Sequence, residues 1–200
     1  MPRAFVGIFL SEQTRRTVSA EVDRLRPLSR AVAWVAPNNL HVTLRFLGDQ
    51  TEEQLTEIVP ALGEAVLGIA PFTMGLRGLG AFPGLEHPRT LWVGIAEGSP
   101  EVRELQSRVA RALETHGFPL EARAWQAHVT IGRIVDERRS RREGMAETRA
   151  SLVRGATLSF GTMTVEAISL MRSDLFPSGA RYTGIAAVPL RPQRVGPQTR

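Results

Sequence analysis

Two tetrapeptides of one type stand far apart in the chain, His41-Val42-Thr43-Leu44 and His128-Val129-Thr130-Ile131. Each lies inside a run of strand-forming residues. Side chains alternate across a strand, so His41 shares a face with Thr43, and His128 with Thr130. Val42, Leu44, Val129 and Ile131 then point the other way, toward a core. An imidazole with a pKa near 6.5 holds or releases a proton at neutral pH. A hydroxyl donates to an oxygen where negative charge gathers. Two of each, carried on two strands, are the parts needed for acid–base chemistry on a phosphate.

Other chemistries find less support. The chain has no cysteine, which removes disulfides, thiolate nucleophiles and zinc–thiolate sites. Four histidines without a His-x-x-x-His helix give no metal-ligand cluster. There is no P-loop, no dinucleotide fingerprint and no Gly-x-Ser-x-Gly elbow. His87, in a Gly/Pro-rich loop, and His116, at a helix end where a cation suits the dipole, read as structural. All 25 basic residues are arginine, and the formal charge is +5. Guanidiniums favour phosphate-rich partners, but a charge of this size is weak evidence for nucleic acid. No apolar stretch reaches the roughly 18 residues a membrane span needs. Met1–Val6 runs straight into an alternating strand without a signal-peptide block, and a cytoplasmic location is expected; the chain is also expected to be a monomer.

The elements that must position these residues follow from periodicity. Arg3–Leu10 reads as a central strand, and Ser11 caps a helix over residues 12 to 27. Ala33–Ala36 is a short strand, Pro37-Asn38-Asn39 a turn, and Leu40–Leu47 the first histidine strand. Thr51-Glu52-Glu53-Gln54 has the capping-box pattern ahead of a helix with Leu55, Ile58, Val59, Leu62 and Val66 on one face. Phe72–Leu79 and Thr90–Ala96 pair as strands, and Ser99-Pro100-Glu101 starts a third helix that Gly117 ends. Trp125–Val135 is the second histidine strand; Leu158–Leu170 and Tyr182–Pro189 close the sheet. Residues 136–150, charged and poor in large apolar side chains, read as an exposed helix or mobile insert. The tail from Arg191 reads as disordered. The fold class is α+β: two pseudo-symmetric lobes of mostly antiparallel sheet with outer helices, one H-x-T strand from each lobe facing a central cleft. Residues 1–190 form this single bilobal domain, and 191–200 the tail.

The phrase Trp34-Val35 … Asn39-Leu40-His41-Val42-Thr43-Leu44-Arg45-Phe46-Leu47-Gly48 resembles the first motif of the two-histidine phosphoesterases. Within them it is closest to the RNA 2′,3′-cyclic phosphodiesterases, also called 2′-5′ RNA ligases. His128-Val129-Thr130-Ile131-Gly132-Arg133 resembles the second motif, and weaker likenesses extend the match over about residues 3 to 189. Two departures stand out. Ala127 replaces the proline usual before the second histidine, and residues 136–150 follow no family pattern. The resemblance implies that His41 protonates the 3′-oxygen of a 2′,3′-cyclic phosphate while His128 activates water, leaving a 2′-phosphate. Thr43 and Thr130 then serve the non-bridging oxygens. No cofactor or metal is required, and run backwards the same apparatus gives weak ligation. The implied partner is RNA with 2′,3′-cyclic phosphate ends, tRNA fragments included.

Arg133 corresponds to an arginine the family keeps near the phosphate. Strict alternation puts it opposite His128, so a bulge or the strand end must turn it inward. Arg45 has the better parity, two residues past Thr43. Phe46 and Tyr182 are candidates to line a nucleoside pocket, although aromatic residues on strands are more often core. Two rival readings remain open: a phosphodiesterase of the same fold acting on a small cyclic phosphate such as an ADP-ribose derivative, and an RNA-binding module without turnover. Arg138, Arg139, Arg141 and Arg142 favour long RNA over a small molecule.

Overall fold

The computed structural model describes residues 2–119, 124–136, 138, 145–176 and 179–192. Nine strands are present among them: β1 (Arg3–Phe9), β2 (Val32–Trp34), β3 (His41–Asp49), β4 (Phe72–Phe82), β5 (Thr90–Ile95), β6 (His128–Ile134), β7 (Ser159–Val165), β8 (Ala167–Phe176) and β9 (Gly179–Pro189). Four α-helices accompany them: α1 (Glu12–Leu25), α2 (Glu52–Ala65), α3 (Ser99–Thr115) and α4 (Ala146–Arg154). The strands follow the order β7-β4-β5-β6-β3-β1-β8-β9, with β2 also on β6, and every pairing between them is antiparallel.

The two histidine strands are neighbours at the centre, joined at one register pair, Val42↔Val129. Strands β1, β8 and β9 extend the sheet beyond β3; β5, β4 and β7 extend it beyond β6. The two expected lobes are therefore halves of one continuous sheet. Val42, Leu44, Val129 and Ile131 are fully buried on the helix-covered face. Burying each stabilises the fold by about 1.5–3 kcal/mol. Helices α2 and α3 pack together through Leu55, Ile58 and Leu62 and through Leu105, Val109 and Leu113, all in this core. Helix α1 lies along β7, where its N-cap Ser11 amide donates to the Met163 sulfur at 3.4 Å.

Local chemistry explains the ends. Ser11 accepts from the Thr14 amide, and Thr51 and Gln54 close the full capping box. At α3 the expected Ser99 cap is corrected. Gly98 is the N-cap, with φ +71°, and Ser99 is the first helical residue. A Cβ at Gly98 would lie 2.2 Å from the Thr73 carbonyl oxygen, so a strand next door decides the cap. The expected single strand Leu158–Leu170 is two, β7 and β8, broken at Glu166. Part of the 136–150 segment forms α4. Arg138 is exposed, while Arg139, Arg141, Arg142 and the tail from residue 193 lie outside the described residues. No helix among the described residues is long and apolar enough to cross a membrane.

Candidate active site

His41 opens β3 on the face opposite the core. Its Nδ1 lies 2.7 Å from the Asn39 carbonyl oxygen. A carbonyl only accepts, so Nδ1 carries the proton and Nε2 keeps its lone pair. The Thr43 hydroxyl, 2.9 Å from Nε2, donates to that lone pair. Three aromatic rings enclose the imidazole, with centroids 4.7 Å (Phe5), 5.2 Å (Phe9, stacked) and 5.4 Å (Tyr182, edge-on at 85°) away. Phe5 and Phe9 alternate with Gly7 on β1. A Cβ on Gly7 would sit 3.1 Å from the His41 ring and 2.9 Å from the Val42 carbonyl oxygen. The small residue lets the imidazole lie flat over β1.

His128 repeats the arrangement on β6. Its Nδ1 is 2.7 Å from the Gln126 carbonyl oxygen, again two residues upstream, so this Nε2 also faces outward with its lone pair. Phe82 meets the ring edge-on at 5.0 Å. Thr130 pairs across the ladder with Trp92, which packs on Phe82. Antiparallel pairing about Val42↔Val129 sets Thr43 on the His128 side and Thr130 on the His41 side. The two H-x-T units are thus related by a local two-fold through the valines.

Past the threonines both strands bulge. On β3 Leu44 is the extra residue between Thr43 and Arg45, the partners of Gly7 and Val6; on β6 Ile131 is the extra residue between Thr130 and Gly132, the partners of Trp92 and Leu91. Burial runs identically, half-buried and buried by turns and then two buried positions before an exposed one, in His41–Phe46 and His128–Arg133. A bulge inverts the parity of everything after it. Arg133 is thereby turned onto the face of His128 and Thr130. The same inversion corrects Arg45, which two-residue alternation placed beside Thr43. Its side chain is on the core side, only 4% exposed, and its guanidinium donates to the Pro119 carbonyl. The place two-fold related to Arg133 belongs to Phe46, 53% exposed, 6.4 Å from the Phe5 ring and on the histidine face. One half contributes a cation, the other an aromatic surface.

The electrostatics follow. Burial lowers the His41 pKa from 6.5 to about 4, opposed by the Asn39 hydrogen bond and assisted by the charges of His128 and Arg133. Burial lowers the His128 pKa too, against the Gln126 bond and with help from Arg133. Burial raises the Tyr182 pKa, and Arg133 opposes the rise. One guanidinium thus acts on both imidazoles and the phenol. In the free protein at neutral pH the site holds two neutral histidines and one positive arginine. An anion beside Arg133 would offset that charge, one of the causes that lower both imidazole pKa values.

Several contributors went unread in the sequence: Phe5 and Phe9, whose spacing on β1 is the signal; Phe82 and Trp92; and two tethers. The Asn39 amide donates to the Ala180 carbonyl at 2.7 Å, holding β9 and Tyr182 against the turn that supports His41. The Trp125 indole donates to the Thr43 carbonyl at 2.9 Å, binding the approach of β6 to β3. His116 is a helix-end histidine on the Ala112 carbonyl, and His87 is exposed. Among the described residues no three His, Cys, Asp or Glu side chains converge as metal ligands would.

Comparison with known proteins places this geometry. Residues 14–175 match the model of the 2′-5′ RNA ligase superfamily. The chain is 37% identical over 186 residues to an RNA 2′,3′-cyclic phosphodiesterase of Aquifex aeolicus, covering 90% of this chain and 93% of the relative. It is 35% identical over 181 residues to one of Methanothermobacter thermautotrophicus, covering 90% and 95%. Among solved structures, TT0787 of Thermus thermophilus superposes with a TM-score of 0.71 at 30% identity, over 94% of this chain and 98% of that one. Escherichia coli LigT complexed with 3′-AMP superposes with a TM-score of 0.75 over 95% and 99%, a likeness of fold at 22% identity. With the paired H-x-T strands, their bulges and the match along most of its length, the chain belongs to the 2′-5′ RNA ligase superfamily.

Proposed function

We propose that the protein hydrolyses RNA 2′,3′-cyclic phosphate ends to 2′-phosphomonoesters, with His41 and His128 as the acid–base pair and without a metal. The observation that carries this is the matched tautomer: each Nδ1–H is held by the carbonyl two residues upstream, leaving both Nε2 atoms toward one face with Arg133. The names of the relatives, RNA 2′,3′-cyclic phosphodiesterases, support the substrate class.

In the reaction, His128 Nε2 takes a proton from water as the water oxygen bonds to phosphorus. The P–O3′ bond breaks, and protonated His41 gives its Nε2 proton to the 3′-oxygen. Each transfer is worth about 10²–10⁴-fold. His41 is neutral in the free protein, so it takes its proton from solvent as the substrate binds, whose anionic phosphate offsets the Arg133 charge. Thr43, Thr130 and Arg133 stabilise the non-bridging oxygens. Phe46 and Tyr182 flank the nucleoside. With a 5′-hydroxyl in place of water, the same steps bond its oxygen to phosphorus as P–O3′ breaks, joining the cyclic end to it as a 2′-5′ phosphodiester without ATP, at low rate.

The test is a short RNA with a 2′,3′-cyclic end, incubated in excess EDTA with wild type and with the His41→Ala/His128→Ala double variant. Wild type alone opens the ring to a 2′-phosphate, and each single variant is slower by at least about 10²-fold. RNA bound but unopened by wild type would replace hydrolysis by a binding role. Turnover confined to small cyclic phosphates would move the substrate away from RNA.

A further inference from the structure

A cavity of about 500 Å³ opens at the Arg3 end of β1, between Arg3 and Asp49 on one side and Arg172, Ser173, Leu175 and Phe176 on the other. It contains neither histidine, yet Arg3 and Ser173 on its rim share the histidine face. Arg3, Phe5, Gly7 and Phe9 alternate on β1, and Arg3 pairs with both Asp49 and Ser173. Two neighbours connect it to the acid–base pair. Phe5, about 7 Å along the strand from Arg3, has its ring 4.7 Å from His41. Tyr182, paired with Ser173, has its ring 5.4 Å from His41.

The lining selects a ligand. Phe176, 50% exposed, offers an aromatic face of the kind on which a nucleobase stacks, and Leu175, 64% exposed, lies on the other face of the strand. Arg172 is committed, 3.2 Å from Asp174 and 3.6 Å from Glu52. Arg3 meets Asp49 only at 3.9 Å, with both side chains more than half exposed, a pair of little strength. Its guanidinium can turn to a phosphodiester at small cost. Two arginines against two aspartates leave the cavity without net charge, so it suits one nucleoside and one phosphate rather than a polyanion.

We infer that this cavity seats the nucleotide next to the cyclic end, with its base against Phe176 and the linking phosphate on Arg3. The inference rests on the proposed reaction and makes the substrate an RNA chain rather than a cyclic mononucleotide. The protein distinguishes the two by whether this cavity is filled.

The experiment compares kcat/KM for a 2′,3′-cyclic mononucleotide and for the dinucleotide with the same cyclic end, in wild type, Arg3→Ala and Ser173→Trp. Wild type prefers the dinucleotide about tenfold or more, through KM, the scale of one stacked base with one charged hydrogen bond. Arg3→Ala and the cavity-filling Ser173→Trp abolish the preference, while mononucleotide turnover, which also reports folding, stays within about twofold. Equal kcat/KM for both substrates in wild type would overturn the inference and leave the reaction standing. So would a dinucleotide preference that survives both variants, or a loss in Arg3→Ala that is equal for the two substrates. No turnover of either substrate by wild type would overturn the reaction and the inference together.

Discussion

Burial disfavours a charged imidazole at His41, and this can be read as a pH dependence of stability. The folded pKa is about 4 against 6.5 for a free imidazole, chiefly because burial penalises the charged form. The unfolded chain takes up its proton first as pH falls. Stability is therefore complete above pH 6.5 and is lost progressively toward pH 4. Between pH 7 and pH 5 linkage gives about 2 kcal/mol from this one residue, an upper bound because the ring edge faces an open cleft. The perturbation is His41→Asn, whose amide nitrogen replaces Nδ1 as donor to the Asn39 carbonyl but does not titrate. Urea unfolding of both proteins at the two pH values isolates the term together with its coupling to His128, since titrating groups that do not interact with His41 cancel in the double difference. Wild type should lose about 2 kcal/mol more than the variant. Saturating inorganic phosphate should shrink that gap by recharging the ring. Equal losses in the two proteins would refute the account of a site emptied of protons by burial.

Three further outcomes follow from the same geometry. Arg133→Ala removes a charge that lowers both imidazole pKa values, so the acid limb of kcat/KM moves to higher pH. The rate should fall about 10- to 100-fold with the lost charged hydrogen bond; an unmoved limb would separate Arg133 from the histidines. Asn39→Ala cuts the bond to Ala180 but keeps the carbonyl under His41. Stability should drop by about 1 kcal/mol in urea unfolding and KM should rise as Tyr182 loosens, with the pH profile unchanged. Gly132→Ala brings a Cβ to 2.7 Å from the Val32 side chain and 3.1 Å from Trp34. It should cost about 1–3 kcal/mol in stability, and it should reduce activity at full folding by disturbing the bulge that aims Arg133.

The H-x-T pairs were legible because a period of two needs no knowledge of partners. The alternation of His41 and Thr43 against Val42 and Leu44 holds until the bulge. Beyond it parity fails, and it fails in both strands. Gly132 within a strand is a local sign of irregularity, and Arg133 was read with a bulge in mind. Nothing comparable marks Leu44-Arg45, so Arg45 was read onto the wrong face. The aromatic wall at His41 depends on the register of β1 against β3, and the Asn39–Ala180 and Trp125–Thr43 tethers join residues 141 and 82 positions apart. Such contacts belong to topology. The Thr51–Gln54 capping box, whose partners are three residues apart, was read correctly; the Gly98 cap, set by Thr73, was not.

The seam between β3 and β6 has a mechanical consequence. One register pair, with the Trp125 indole as a second fastening, resists sliding of one half past the other. It puts few ladder bonds in the way of a change in angle. Each imidazole is fixed rigidly to its own arm, by its own carbonyl and its own aromatic packing. The gap between the two is then the gauge of a caliper pivoted at Val42 and Val129, and substitutions far out on either arm can reset it without touching a residue of the site.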